Sequence, residues 1–163
     1  MSLGVHFALS PEDEQRLLAA AGDDAVIEVV EEIEERGLDE DRTCQTDKAW
    51  DALHRCLTDG SLLYESGPFP LSAAILGGRQ LIDEADYTVS YVPADRVPPV
   101  AEALAAVDRE WLRHRYDTLS GTDYDGPLGD DDFEYTWDGL QDVREFYLTA
   151  ARGGWAVIFT VDA

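Results

Sequence analysis

A histidine beside the buried face of a helix is the residue of this sequence best placed to do chemistry. The helix predicted over residues 47–60 carries His54, with Trp50 one turn earlier and the carboxylates of Asp47 and Asp51 close in sequence. A buried imidazole near a carboxylate can act as a general base or orient a ligand. A pocket around Trp50 and His54 is therefore one candidate site, with Asp47 and Asp51 as further binding residues. The simpler interpretation is that His54 packs in the core and hydrogen bonds a backbone carbonyl.

Aromatic residues among acids form a second candidate site. Tyr124, Phe133, Tyr135 and Trp137 lie just before the last predicted helix, in a stretch where acidic residues are frequent. An exposed aromatic cluster with an acidic rim suits contact with a partner protein or a cationic ligand. The competing interpretation is that these rings pack in the core, as most aromatic side chains do.

The acidic stretch over residues 123–134 has part of the spacing of a calcium-binding loop. It places acids at the first, third, ninth and twelfth of twelve positions. Pro127 stands at the fifth position and Leu128 at the sixth, where an EF-hand needs a ligand and a glycine. We therefore predict a solvated acidic loop, whose carboxylates favour the positive end of the following helix.

The usual fingerprints of catalytic and cofactor sites are missing from the sequence. It contains no H-E-x-x-H or paired-cysteine motif for zinc, no glycine-rich nucleotide loop and no G-x-S-x-G nucleophile. His6 and His114 lack a partner at ligand spacing, and Cys44 and Cys56 are interpreted as structural thiols. We predict no catalytic residue, no metal and no cofactor.

The charge of the chain limits the classes of partner that it can bind. Asp and Glu outnumber Lys and Arg by 35 to 12, which gives a formal net charge of -23. Because no window supplies a basic patch, nucleic acid and anionic membrane surfaces are unfavourable partners. The sequence shows no secretion signal and no apolar run of membrane-spanning length, so we predict a cytoplasmic protein. A protein partner or a small-molecule ligand remains, and the oligomeric state is left open.

Hydrophobic periodicity predicts the elements that position these residues. Helices are expected in five places, the fourth being either one long helix or two abutting ones: 11–21 after a Ser10 cap, 25–37 after residues 22–24, 47–60 after a Thr46 or Asp47 cap, 97–117 and 140–153. Strands are expected at 3–9, 87–92 and 155–161, the last of them buried on both faces. The segment 62–78 is expected to be a loop with a short helical or extended piece, and 118–132 the longest irregular connection.

This order of motifs resembles the YfbM-like proteins, an uncharacterised bacterial family defined as a domain of unknown function. The anchors of the resemblance are short motifs in order along the chain: Ser10-Pro11-Glu12 after the first strand, Asp47-Lys48-Ala49-Trp50, Ala74-Ile75-Leu76-Gly77-Gly78, Tyr91-Val92-Pro93, Arg115-Tyr116-Asp117 and the closing helix and strand. Few strands among many helices predict an α+β fold, one domain over residues 1–163, with a small sheet of the N- and C-terminal strands packed against amphipathic helices. The resemblance implies the same α+β fold. It implies no established activity.

Two hypotheses about function follow from the residues. The first, which we favour, is a non-enzymatic cytoplasmic module that binds another protein through an acidic surface bearing Tyr124, Phe133, Tyr135 and Trp137. It predicts an exposed aromatic patch. The second is a small-molecule-binding protein or an enzyme, and it predicts a concave pocket lined by Trp50, His54 and neighbouring acids.

Overall fold

Strands from the two ends of the sequence meet in one sheet, and helices cover both of its faces. The computed structural model describes residues 2–162. Within them the strands are β1 (Gly4–Leu9), β2 (Thr43–Asp47), β3 (Arg79–Gln80), β4 (Tyr87–Val92) and β5 (Ala156–Asp162). The helices are α1 (Pro11–Ala19), α2 (Asp23–Arg36), α3 (Ala49–Leu57), α4 (Val97–Ala105), α5 (Arg109–Asp117) and α6 (Asp130–Gly153).

The sheet is antiparallel and has β5 at its centre. The strand order is β2-β1-β5-β4-β3, with Val5 opposite Thr160 in the β1–β5 pair and Ser90 opposite Phe159 in the β4–β5 pair. This confirms that the apolar run near the end of the sequence is a central strand and that it pairs with the first strand. It leaves β2 and β3 at the two edges.

Alternate residues of β5 serve two separate cores. Ile158 packs with Phe7 and with apolar residues of α1 and α2 on one face. Phe159 packs on the other face with the larger core, to which α3, α4, α5 and α6 contribute. Because both faces are covered, every residue from Ala156 to Val161 is buried, which explains the continuous apolar run. The α+β prediction is confirmed.

Helix boundaries follow the sequence signals where these are local. The Asp13 N–H donates to the Ser10 hydroxyl at 3.2 Å, and Pro11 opens α1, as predicted. Helix α2 ends at Arg36, and the next residue, Gly37, has a φ of 72° that favours glycine. The fourth predicted helix is two helices, α4 and α5, separated at residues 106–108.

The start of α3 differs from the prediction. Thr46 and Asp47 do not cap it, because both belong to β2, which the sequence analysis missed. The Thr46 hydroxyl donates instead to the Gly4 carbonyl at 3.1 Å, and α3 begins at Ala49 without a side-chain cap. The five residues of β2, Thr-Cys-Gln-Thr-Asp, lack the apolar alternation that indicates a strand.

The predicted long connection over residues 118–132 is also wrong in extent. Helix α6 begins at Asp130, so residues 130–134 of the acidic stretch are helical, and residues 118–121 form a 3-10 turn. The longer irregular connection runs over residues 58–70, before the 3-10 turn at Leu71–Ala74. A run of aspartates carries little helix propensity, but at the first turn it interacts favourably with the helix dipole.

Residues 72–76 form a buried segment whose peptide groups bond to side chains. The Ala74 carbonyl accepts hydrogen bonds from His6 Nε2 at 2.8 Å and from the Tyr147 hydroxyl at 3.1 Å. The Leu76 carbonyl accepts from the Ser90 hydroxyl at 2.9 Å. These bonds replace the ladder that a helix or strand would provide, so they fix the position of the segment.

Candidate functional site

A cleft lies between the first turns of α3 and α6. Its volume is about 370 Å³. It is lined by Ser2, by Lys48, Ala49, Trp50 and Asp51 at the start of α3, by Tyr124, Asp125, Gly126 and Pro127 of the preceding loop, and by Asp132, Tyr135 and Thr136 of α6. The cleft therefore joins residues from both sites that the sequence analysis considered separately.

Gly139 permits the close approach of the two helices that form the cleft. A Cβ atom at this position of α6 would lie 2.9 Å from the Cβ of Ala49 and 3.3 Å from a methyl carbon of Leu53. Such a distance is below van der Waals contact, so a larger residue would push α3 and α6 apart. The small residues at this crossing set the width of the cleft.

Arg55 ties the loop wall of the cleft to α3. Its guanidinium is buried and donates to Asp51 at 2.6 Å, to Asp123 at 2.5 Å and to the Gly60 carbonyl at 3.2 Å. Because the two carboxylates belong to the helix and to the loop, one buried cation holds both. The negative charge of Asp51 is therefore balanced by Arg55 within the cleft wall.

Aromatic rings form the other walls. The Trp50 indole N–H donates to the Ser2 carbonyl at 3.2 Å, and the Tyr135 hydroxyl accepts from the Lys48 backbone N–H at 3.2 Å. The Tyr124 hydroxyl donates to Asp132 Oδ2 at 2.8 Å. Burial and this bond to a carboxylate raise the pKa of Tyr124, so its hydroxyl stays protonated.

The cleft has more negative than positive charge. Asp51, Asp125 and Asp132 line it, and Lys48 is the one cation among its lining residues. Asp51 is paired with Arg55, but Asp125 has no ion pair within residues 2–162. Among the rings of the cleft, Tyr135 is 44% exposed, Tyr124 is half-buried and Trp50 is 9% exposed. An aromatic ring next to an unpaired carboxylate attracts cations.

The residues of the predicted pocket separate in the structure. Trp50 and Asp51 line the cleft, whereas Asp47 lies exposed at the end of β2 with a φ of 47°. His54 is buried and faces the long connection: its Nε2 donates to the Leu63 carbonyl at 2.8 Å, and its Nδ1 accepts from the Leu76 N–H at 3.4 Å. Burial lowers the pKa of His54, and the ring is neutral.

Replacing His54 by Ala should therefore reduce stability without changing the cleft. Two hydrogen bonds would be lost and a cavity left, so we expect the free energy of unfolding to fall by about 2–4 kcal/mol. Urea denaturation measures this loss. His114→Ala is the control, since His114 is exposed on α5 and its loss should cost less than about 0.5 kcal/mol. Equal stability of the two variants would show that the His54 bonds contribute little.

The four aromatic residues of the predicted surface also separate. Tyr124 and Tyr135 line the cleft, and Tyr135 is 44% exposed. Trp137 is half-buried, with the guanidinium of Arg144 5.6 Å from its ring centre. The prediction that Phe133 is exposed is wrong: it is 1% exposed, because α6 begins before it and turns its ring into the core.

The buried cysteine and histidine side chains Cys44, Cys56 and His6 are held in their uncharged forms. Burial raises the pKa of Cys44 and of Cys56 to about 12, so both remain thiols. At Cys56 burial outweighs the opposing effect of Arg115. Burial lowers the pKa of His6 to about 4, so His6 is neutral. Within residues 2–162, no group of three or more His, Cys, Asp or Glu side chains is arranged to hold a metal ion.

The sequence analysis missed a groove beside β2. It has a volume of about 480 Å³ and is lined by residues of β2, of the preceding turn and of α6: Glu40, Asp41, Thr43, Cys44, Gln45, Asp142, Glu145, Phe146 and Thr149. No sequence signal marks it, because it depends on β2 lying beside α6. The acids of α6 were visible only as the polar face of a helix.

Comparison with known proteins identifies the fold and the family of this chain. The crystal structure of a protein of unknown function, YfbM from Escherichia coli, matches with a TM-score of 0.71 and 21% sequence identity, over 98% of this chain and 99% of that chain. No curated protein matches. None of the helices in residues 2–162 is long and apolar enough to cross a membrane. The family model described as a domain of unknown function, DUF1877, matches residues 1–160. The resemblance to YfbM-like proteins is thereby confirmed, and the chain belongs to the DUF1877 family.

Proposed function

We propose that this protein is a non-enzymatic binding module that holds a positively charged side chain of a partner protein in the cleft between α3 and α6. The observation that carries the proposal is the lining of the cleft. Three aromatic residues, Trp50, Tyr124 and Tyr135, surround a space of about 370 Å³ together with three carboxylates.

The chemistry of these walls favours a cation over other groups. The face of an aromatic ring attracts a guanidinium or ammonium group, and the attraction increases when the site is partly desolvated. Asp125 adds an unpaired carboxylate, and the net charge of -23 attracts a basic partner over a longer range. A cleft near the lower end of the usual range for ligand pockets suits one side chain.

The state of the titratable groups supports a binding role over catalysis. The general-base candidate, His54, is buried, and both of its ring nitrogens bond to backbone groups. Neither Cys44 nor Cys56 lines the cleft, and both are buried thiols. Two free cysteines also support our proposal that the protein acts in the cytoplasm, where thiols stay reduced.

A second candidate function is the binding of a small organic cation in the same cleft. The volume of about 370 Å³ favours it, since a free amine or guanidine derivative would fit. In this case Trp50 and Asp51 remain binding residues, and His54 supports the fold. Comparing the affinities of a peptide and of a free cation with the same head group separates the two candidates. Only a protein partner gains affinity from the residues beside the cation.

The proposal is tested by following the indole N–H signal of Trp50 in NMR titrations with acetylated arginine amide. We expect the Trp50 signal to move, and acetylated glutamate amide to leave it unchanged. Replacing Tyr135 by Ala should weaken binding of the arginine probe about fivefold, because a ring over the cation contributes about 1 kcal/mol.

The matched control is Leu148→Ala. Leu148 is 39% exposed and lies on the same helix, but it does not line the cleft, so its loss should not change binding. A shift confined to the Trp137 indole signal would place the cation on a different surface and contradict the proposal. Equal binding of the glutamate probe would also contradict it.

A further inference from the structure

Strand β2 is an edge strand with an open outer side. Within the described part of the chain its one hydrogen-bonded neighbour is β1, which it meets through the pairs Val5–Gln45, His6–Cys44 and Phe7–Thr43. The opposite edge, β3, has only two residues. An edge strand of five residues therefore presents backbone groups to a further strand at one side of the sheet only.

The usual protections of an edge are weak along β2. Natural edges carry charges or proline on the strand, or are covered by another element. The residues from Thr43 to Thr46 are uncharged and include no proline. The bulge opposite Gly4 lies near the end of the strand, next to Asp47. Thr43, Cys44 and Gln45 remain regular and face grooves on both sides.

Both grooves are acidic and contain no basic lining residue. The groove on the α6 side is lined by four carboxylates, Glu40, Asp41, Asp142 and Glu145. The groove on the α2 side, of about 680 Å³, is lined by Glu34 and Glu40 together with the apolar residues Val5, Phe7 and Leu38. The two sides of β2 therefore differ: one is mainly charged, and the other mixes acids with apolar surface.

The carboxylates beside β2 are crowded. Partial burial and the charges of Asp138 and Glu145 raise the pKa of Asp142. The nearest arginines on these elements bond elsewhere: Arg42 donates to the Ala8 carbonyl, and Arg144 donates to the Leu104 carbonyl. A cation from outside the chain would relieve this repulsion.

The groove on the α6 side and the proposed cation cleft lie at different positions along the same helix, α6, and share no lining residue. Strand β2 ends at Asp47, and the next residue, Lys48, lines the cleft. Helix α6 lines the cleft with Tyr135 and the groove with Asp142 and Thr149. A chain running along β2 would therefore reach the aromatic walls at one end.

We propose that β2 receives an extended basic segment of the partner protein as a sixth strand of the sheet. Its side chains alternate, with arginine or lysine on the α6 side and apolar or small residues on the α2 side. This inference rests on the proposed function, because the partner whose cation enters the cleft is the partner that pairs with β2. A second copy of this chain is a poor occupant, since two chains of charge -23 repel each other.

The test uses a nine-residue peptide with arginine at alternate positions and valine or threonine between them. A second peptide has the same side chains, with methyl groups on the backbone nitrogens that would pair with β2. We expect the first peptide to bind and to slow hydrogen exchange of the Cys44 and Gln45 amides. The methylated peptide should bind more than about tenfold more weakly, because it has lost backbone donors.

Variants of the protein test the charge pattern. The double variant Asp142→Asn with Glu145→Gln should bind the first peptide about fivefold more weakly. The control is Glu65→Gln with Glu102→Gln, which removes the same charge from exposed positions outside both grooves and the cleft. An equal loss in the control would show that net charge alone attracts the peptide.

The outcomes separate the two proposals. If arginine amide moves the Trp50 signal but the methylated peptide binds as well as the first one, the cleft proposal holds and strand addition is wrong. If neither probe affects Trp50 while β2 is protected from exchange, the cleft proposal is wrong. If the protein without peptide sediments as a dimer with protected Cys44 and Gln45 amides, a second copy occupies β2 and the inference is overturned.

Discussion

Replacing Gly77 by Ala is expected to remove about 4 kcal/mol or more from the free energy of unfolding, or to prevent folding. An added Cβ would lie 2.1 Å from the Ser72 carbonyl oxygen, which also accepts the Gly77 N–H at 2.9 Å. The contact is with backbone, and the segment between Ser72 and Gly77 is held by bonds to the Ala74 and Leu76 carbonyls. The strain therefore cannot be relieved by a rotating side chain. Urea denaturation of the purified variant measures the loss.

Gly121→Ala is the matched control for this substitution. Gly121 ends the 3-10 turn at residues 118–121, whereas Gly77 follows the one at Leu71–Ala74, and nothing stands within 4 Å of the position of an added Cβ at Gly121. The free energy of unfolding of this variant should stay within about 0.5 kcal/mol of that of the parent protein. If Gly77→Ala were as stable as Gly121→Ala, residues 72–77 would have to be able to shift, and the bonds made by His6 and Ser90 would not fix the segment.

The second large effect is a loss of stability in mild acid. Burial lowers the pKa of His6 to about 4, against an ordinary value of 6.5. Below pH 6.5 the unfolded chain binds a proton at His6 and the folded chain does not. Above about pH 7.5 the titration of His6 therefore takes nothing from the free energy of unfolding. As the pH drops from 6.5 toward 4, it lowers that free energy progressively. At pH 5 the loss is about 2 kcal/mol, and His54, whose pKa is also lowered by burial, adds to it.

The measurement compares the free energy of unfolding in urea at pH 7.5 and pH 5 in the parent and in His6→Gln. The glutamine variant should be less stable at pH 7.5 but lose less between the two pH values. Repulsion among the carboxylates weakens in acid and acts in the opposite sense, but it is common to both proteins. His114→Ala should lose as much as the parent. An equal loss in His6→Gln would show that His6 is not the cause.

The parts of the fold that the sequence predicts are those with a local signal. Strands β1, β4 and β5 and helices α1 and α2 have clear periodicity or caps, and all are found. Strand β2 lacks such a signal, because it is a strand only through its pairing with β1. In the segment 62–78 the predicted short helical piece is found as the 3-10 turn Leu71–Ala74. The burial of residues 72–76 could not be predicted, since their hydrogen-bond partners come from distant parts of the sequence.

The candidate site was only partly predictable for a related reason. Trp50 and His54 lie four residues apart and so share one side of α3, but they are about 6 Å apart along its axis. The first lines the cleft, whereas the second is covered by the connection after α3. For Phe133 a usable signal existed: its spacing from Leu140 is seven residues, which predicts the same buried side of a helix.

The central place of β5 has a consequence for how the protein is made. Its two neighbours, β1 and β4, do not touch each other, so β5 alone joins the β1–β2 ribbon to the β3–β4 ribbon. During translation both ribbons leave the ribosome before residues 156–162 do. Until then the edges of β1 and β4 that pair with β5 stay open, so a chaperone that shields exposed β-strands would protect the nascent chain until residues 156–162 have emerged.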